Sequence, residues 1–162
     1  MRLFPKRKIN GSNWCLWRWF DIRKGDDIYL TRLTVLRTPW FQVLLHWINK
    51  PDSDHGMHDH PWWFMGFVIN GEYIEQRASV HPDGFEHCLR NLSYKTVRFL
   101  IWNPKSRAHK INMTHGRVVT LLLTGPKTKS WGFYQQDMSR RAESDKVPVK
   151  YTPWREFLQQ ER

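Results

Sequence analysis

Acidic residues are scarce in this chain: 15 Asp and Glu stand against 26 Lys and Arg, a formal net charge of +11. That imbalance turns the surface toward anions, nucleic acid among them. The cations are scattered, however, over residues 2–8, 18–24, 105–110, 127–129 and 140–141, with no long block. Nucleic acid is therefore admitted as a partner but not favoured. Cysteine is scarcer still: Cys15 and Cys88 are the only two, which excludes a disulfide-stapled scaffold and predicts a reduced, cytoplasmic setting. No apolar run approaches the roughly 18 residues of a membrane-spanning helix. The basic start, residues 1–8, leads into no apolar stretch with a small-residue cleavage site, so no secretory signal is expected. Internal repeats and low-complexity tracts are also missing.

What is abundant is aromatic. Ten tryptophans and an aromatic fraction of 15% stand out in 162 residues. Interleaved with cations, aromatics can stack on unpaired bases. They also fill the cores of small β proteins, where each buries about 150–250 Å², and core packing is the expected use of most of them. The length predicts one domain able to bury about 70% of its unfolded surface.

Residues 1–27 mix basic, aromatic and turn residues and read as an N-terminal arm with short elements. From Ile28 onward the pattern is short β-prone runs broken by turn signals. Strands are predicted over 28–36, 41–48, 62–69, 72–80, 95–102, 107–111, 118–123 and 130–134. Asn70-Gly71 carries a hairpin signal. Residues 138–150 are polar and predict a surface loop. Thr152 and Pro153 then suit the N-cap and first position of a short helix over 154–160. Eight or nine short strands argue for an all-β sandwich or barrel. The expected organisation is an arm (1–27), a barrel (28–137) and a C-terminal loop and helix packed on it (138–162).

The most informative stretch is His58-Asp59-His60-Pro61-Trp62. Two histidines separated by one residue share a face of an extended chain. A third from a distant strand could close a three-imidazole metal site, and His109, on the strand after Pro104, is the candidate. Three neutral imidazoles leave a divalent ion its double charge and open positions for water, oxygen or a chelating substrate.

Here the chain resembles the cupin superfamily. His58-Asp59-His60 with Gly71 is similar to the first cupin motif, and the Pro104 to His109 spacing to the second, with Ser106 in place of its glycine. Over about 28–158, with Gly71-Glu72-Tyr73, Thr124-Gly125-Pro126-Lys127 and Trp131-Gly132-Phe133, it resembles small RmlC-like and cysteine-dioxygenase-like cupins found in bacterial and phage genomes. The resemblance implies a double-stranded β-helix, the cupin jelly-roll barrel, in the host cytoplasm if phage-encoded. It also implies a divalent metal, Fe2+ favoured, with Zn2+, Ni2+ or Mn2+ as alternatives. One departure matters: the motif's glutamate ligand falls at residue 64, which is Phe64. The site is then three-histidine, or it recruits Glu75 or His46. The late asparagine of the second motif is Met113.

Tyr73, Glu75 and Arg77 share a strand phase and could line a polar pocket. Arg98 interrupts an apolar run and suits a carboxylate or phosphate clamp. Tyr73, Glu75 and Arg98 are the candidate catalytic residues, acting on a small anionic substrate by oxygenase or isomerase chemistry. Cys88, His55 and His115 are expected to be bystanders. A homodimer is implied by analogy with cupins that pair through edge strands. Two competing readings are a non-enzymatic module using the basic surface on nucleic acid or an assembly, and a metal-free RmlC-like epimerase. The paired imidazoles argue against the second.

Overall fold

The computed structural model describes residues 7–8, 14–24, 26–52, 56–83, 86–139 and 146–156. In them the chain forms thirteen strands: β1 (Arg7–Lys8), β2 (Cys15–Lys24), β3 (Asp27–Arg37), β4 (Gln42–Ile48), β5 (Met57–His58), β6 (Phe64–Asn70), β7 (Tyr73–Asp83), β8 (Glu86–Val97), β9 (Leu100–Asn103), β10 (Arg107–Thr114), β11 (Val118–Thr124), β12 (Gly132–Gln136) and β13 (Lys146–Pro153). All pairings are antiparallel. Seven strands make a sheet in the order β1-β2-β3-β4-β11-β6-β9, and six close a barrel in the order β10-β5-β12-β13-β8-β7. The all-β architecture expected from the sequence is the architecture found.

The alternation of each central strand decides which side chains reach the interior. On β4, Gln42, Leu44, His46 and Ile48 are buried, and on β11 Val118, Thr120, Leu122 and Thr124. Cross-strand register stacks these positions in rows. Leu30, Ile48 and Val118 form one; Arg32, His46 and Thr120 the next; Thr34, Leu44 and Leu122 the third. Leu30, Leu44, Ile48, Phe64, Ile101, Ile111 and Leu122 belong to the larger apolar cluster, and each such side chain contributes about 1.5–3 kcal/mol when fully buried. A second cluster, with Met57, Ala78, Leu89, Ala108, Tyr134 and Val149, consists entirely of residues on barrel strands.

Four expectations change. Asn70-Gly71 makes no hairpin, because β6 pairs with β11 and β9 whereas β7 pairs with β8 and β10. Gly71, at φ +78°, turns the chain from one layer to the other. The predicted loop over 138–150 contains the start of β13, whose Lys146–Val149 pairs with β8. The arm contains the ten-residue β2, paired along β3. Helix is seen at 154–156 only, the rest of the predicted 154–160 helix lying outside the described residues.

Candidate metal centre

β5 is two residues long, and its His58 stands in register between His109 of β10 and Phe133 of β12. His60 follows just beyond the strand. Between them Asp59 points the other way and is buried, 2% exposed. It accepts hydrogen bonds from the Gly132 amide (2.9 Å) and the Tyr134 hydroxyl (3.1 Å), and pairs with the Lys129 ammonium. A buried carboxylate needs such partners. These bonds tie the H-x-H segment to β12, so both flanking imidazoles turn toward β10.

Ring centroids of His58, His60 and His109 lie 4.7–5.1 Å apart. One ring nitrogen of each can be chosen so that all three lie within 4.8 Å of one another. The Nε2 atoms of His60 and His109 are 2.7 Å apart. Two nitrogens bound at about 2.1 Å to one ion sit about 3 Å apart, so the spacing suits a shared ion after a small adjustment.

Glu75 settles the tautomer of His109. Its Oε1 lies 2.5 Å from His109 Nδ1, and Arg77 holds Oε2 through Nε (2.8 Å) and Nη2 (2.5 Å). A carboxylate only accepts, so the imidazole proton sits on Nδ1 and the Nε2 lone pair faces the cluster. This carboxylate–histidine pairing is what orients metal-ligating imidazoles. Burial pushes the Glu75 carboxyl up, but the attraction of His109 and its hydrogen bond, with those of Arg77, outweigh it and hold it well below the usual carboxylate range. Glu75 is thus ionised behind His109 rather than beside a metal.

Phe64 stands edge-on to His60 (4.9 Å) and tilted to His109 (5.7 Å), forming an apolar wall where the cupin motif has its carboxylate. Burial, then the nearby His109 and His58, hold His60 well below the usual imidazole range, so it presents a neutral nitrogen. Donor chemistry and geometry both fit a divalent ion.

The histidines face a cavity of about 90 Å³, walled by Leu30, Leu44, Ile48, Phe64, Ile101 and Leu122. Tyr73 lines it, and burial followed by the charge of Glu75 pushes its phenol up, leaving a neutral donor. His46 lines it too, but its Nε2 accepts from Arg32 Nε (2.9 Å), and burial holds it well below the usual range. Among the described residues only His58, His60 and His109 group as a metal site, so neither Glu75 nor His46 completes it.

Arg98 is not brought here. It lies in the bend between β8 and β9, its side chain 64% exposed and paired with Glu72, because the predicted 95–102 strand breaks at that point. His115 is exposed, as expected, and His55 lies outside the described residues. Cys88 is buried and free, as expected of a bystander. The cation the sequence reading missed is Arg32, which lines the cavity. Its phase with Leu30 and Thr34 on an alternating strand was the signal available.

The backbone matches a chain from crystal structures of DMSP lyases with a TM-score of 0.51 and 14% identity, over 74% of this chain. The fold is cupin-like. The match covers 63% of the lyase chain, so this protein spans less than two thirds of that neighbour's length. A crystal structure of Fe(II)-HppE with an alternative substrate aligns with a TM-score of 0.49 and 13% identity, over 75% of this chain and 63% of that one. No protein-family model matches the sequence, and no curated protein does. No helix among the described residues is long and apolar enough to cross a membrane.

Proposed function

We propose that this cupin-like barrel is a metal-dependent enzyme for a small anionic substrate, of oxygenase or isomerase type. The observation that carries the reading is the trio of His58, His60 and His109, with Glu75 fixing the His109 tautomer. Fe2+ is the favoured ion, with Zn2+, Ni2+ or Mn2+ as alternatives. A bound divalent ion would supply Lewis-acid chemistry or, as iron, redox chemistry. The chain's own groups do the rest. Tyr73 offers a neutral hydroxyl to a substrate in the cavity, Glu75 and Arg77 position His109, and Phe64 with its apolar neighbours excludes bulk water. The cavity is well below the roughly 300 Å³ at which drug-sized ligand sites begin, which favours a substrate of few heavy atoms.

Elemental analysis tests the metal. Wild type purified without chelators should carry about one equivalent, and His58→Ala, His60→Ala and His109→Ala should each lose it. A wild type with no metal would overturn the reading.

A second copy of the chain is the proposed protein partner. The outward face of β6, β9 and β11 exposes Met65, Phe67, Ile69, Leu100, Trp102, Leu121 and Leu123, each 37–60% accessible. At about 200 Å² per large apolar side chain, half-exposed, these offer roughly 700 Å², near the 800 Å² per partner of a standard interface. The patch carries no charge of its own, so the excess of cations lies outside it. Light scattering should show a dimer that Phe67→Glu dissociates. A monomeric wild type would rule it out. The free thiols of Cys15 and Cys88 fit a cytoplasmic location.

A further inference from the structure

Opposite the histidines, one row of the seven-stranded sheet sets three polar side chains between two rows that are apolar except for Thr34. Arg32 of β3, His46 of β4 and Thr120 of β11 are cross-strand neighbours, flanked by Leu30–Ile48–Val118 and Thr34–Leu44–Leu122. All three line the same cavity as His58, His60 and His109. Packing alone gives no reason for them, since apolar side chains would fill the row without desolvating a guanidinium.

Their bonding is incomplete in a directional way. Arg32 donates from Nε to His46, and among the described residues nothing accepts from its terminal Nη atoms and no carboxylate pairs with it. Thr120 is 1% exposed, and its Oγ1 has no hydrogen-bond partner among the described residues. His46 accepts on Nε2, which fixes the guanidinium plane.

We propose that Arg32 and Thr120, with His46 as the positioning residue, form the subsite for a monoanionic carboxylate group of the substrate. A planar carboxylate matches two parallel N–H donors of a guanidinium, and a threonine hydroxyl can donate to one of its oxygens. A single guanidinium offsets one negative charge. Asp52, which also lines the cavity, accepts from the Ile111 amide (2.9 Å) and disfavours a more highly charged group such as phosphate. The inference rests on the reading of the cavity as a substrate chamber, and it replaces the clamp the sequence placed at Arg98.

Acetate is the probe, titrated by calorimetry into the full chain as purified, with metal content measured on the same samples. Wild type should bind acetate, and more tightly than inorganic phosphate. Arg32→Gln should weaken acetate binding about tenfold or more. Arg32→Lys, which keeps the charge and loses the fork, should fall between the two. Thr120→Val should weaken it about threefold, and Arg98→Gln should leave it unchanged. Wild-type acetate affinity in both Arg32 variants, with cooperative melting intact, would overturn the proposal, as would tighter binding of phosphate. A wild type that takes up acetate but carries no metal supports the subsite and removes only the metal centre. A metal-loaded wild type silent to acetate up to about 100 mM removes only the subsite.

Discussion

The two walls of the cavity are finished to different degrees. On the barrel side the buried carboxylates behind the histidines are held from several directions: Asp59 by Gly132, Tyr134 and Lys129, and Glu75 by His109 and Arg77. On the sheet side, among the described residues, the Nη atoms of Arg32 and the hydroxyl of Thr120 have no partner. The contrast separates a wall built to hold a geometry from a wall left open to something that enters. Fully satisfied networks rigidify, whereas an unpaired buried donor costs free energy until it is met.

Disrupting the barrel wall should therefore cost much more than disrupting the sheet wall. Asp59→Ala, which orphans a buried amide and a buried hydroxyl, should lose about 3 kcal/mol or more in chemical denaturation. A loss below about 1 kcal/mol would show that the H-x-H segment is held by something else. Glu75→Gln should weaken metal binding about 10–100-fold in chelator competition while leaving one equivalent at saturation.

His46 supplies a test by pH. Burial and then Arg32 hold its folded pKa well below the ordinary value, so the folded protein keeps it neutral while the unfolded chain protonates it below about 6.5. The unfolded state then binds more protons, and stability falls as pH drops from about 6.5, by up to about 1.4 kcal/mol per pH unit for this group. His46→Gln should flatten the slope between about pH 6.5 and 5 by that amount, and an unchanged slope would place the acid sensitivity elsewhere. At the small end, Thr120→Val should shift stability by under about 1 kcal/mol, in either direction, because no protein bond is lost. A larger loss would mean the hydroxyl is structural.

Local sequence carried the barrel wall and hid the sheet wall. His58 and His60 are separated by one residue, and His109 follows a proline-marked turn; both are short-range signals that survive folding. Glu75 and Tyr73 were legible through the period of two. Arg32 and Arg98 look alike in sequence, each a single arginine in a β-prone run, and only tertiary pairing separates them: β3 is continuous and interior-facing at Arg32, whereas the chain bends at Arg98. Asn70-Gly71 made a turn as its chemistry dictates, but which sheet the next strand joins is a long-range choice. β13 was missed because Lys146 and Lys150 mask a strand whose Pro148 and Val149 are buried.

β5 has one further consequence. The barrel closes through a strand that meets β10 at a single register position, His58 against His109. That is the narrowest rung of the ring, and both of its residues are proposed ligands. An ion held there would act as a clasp across the seam, linking occupancy to closure: the tighter the ion, the slower amides of β5 and the facing part of β10 would exchange with solvent.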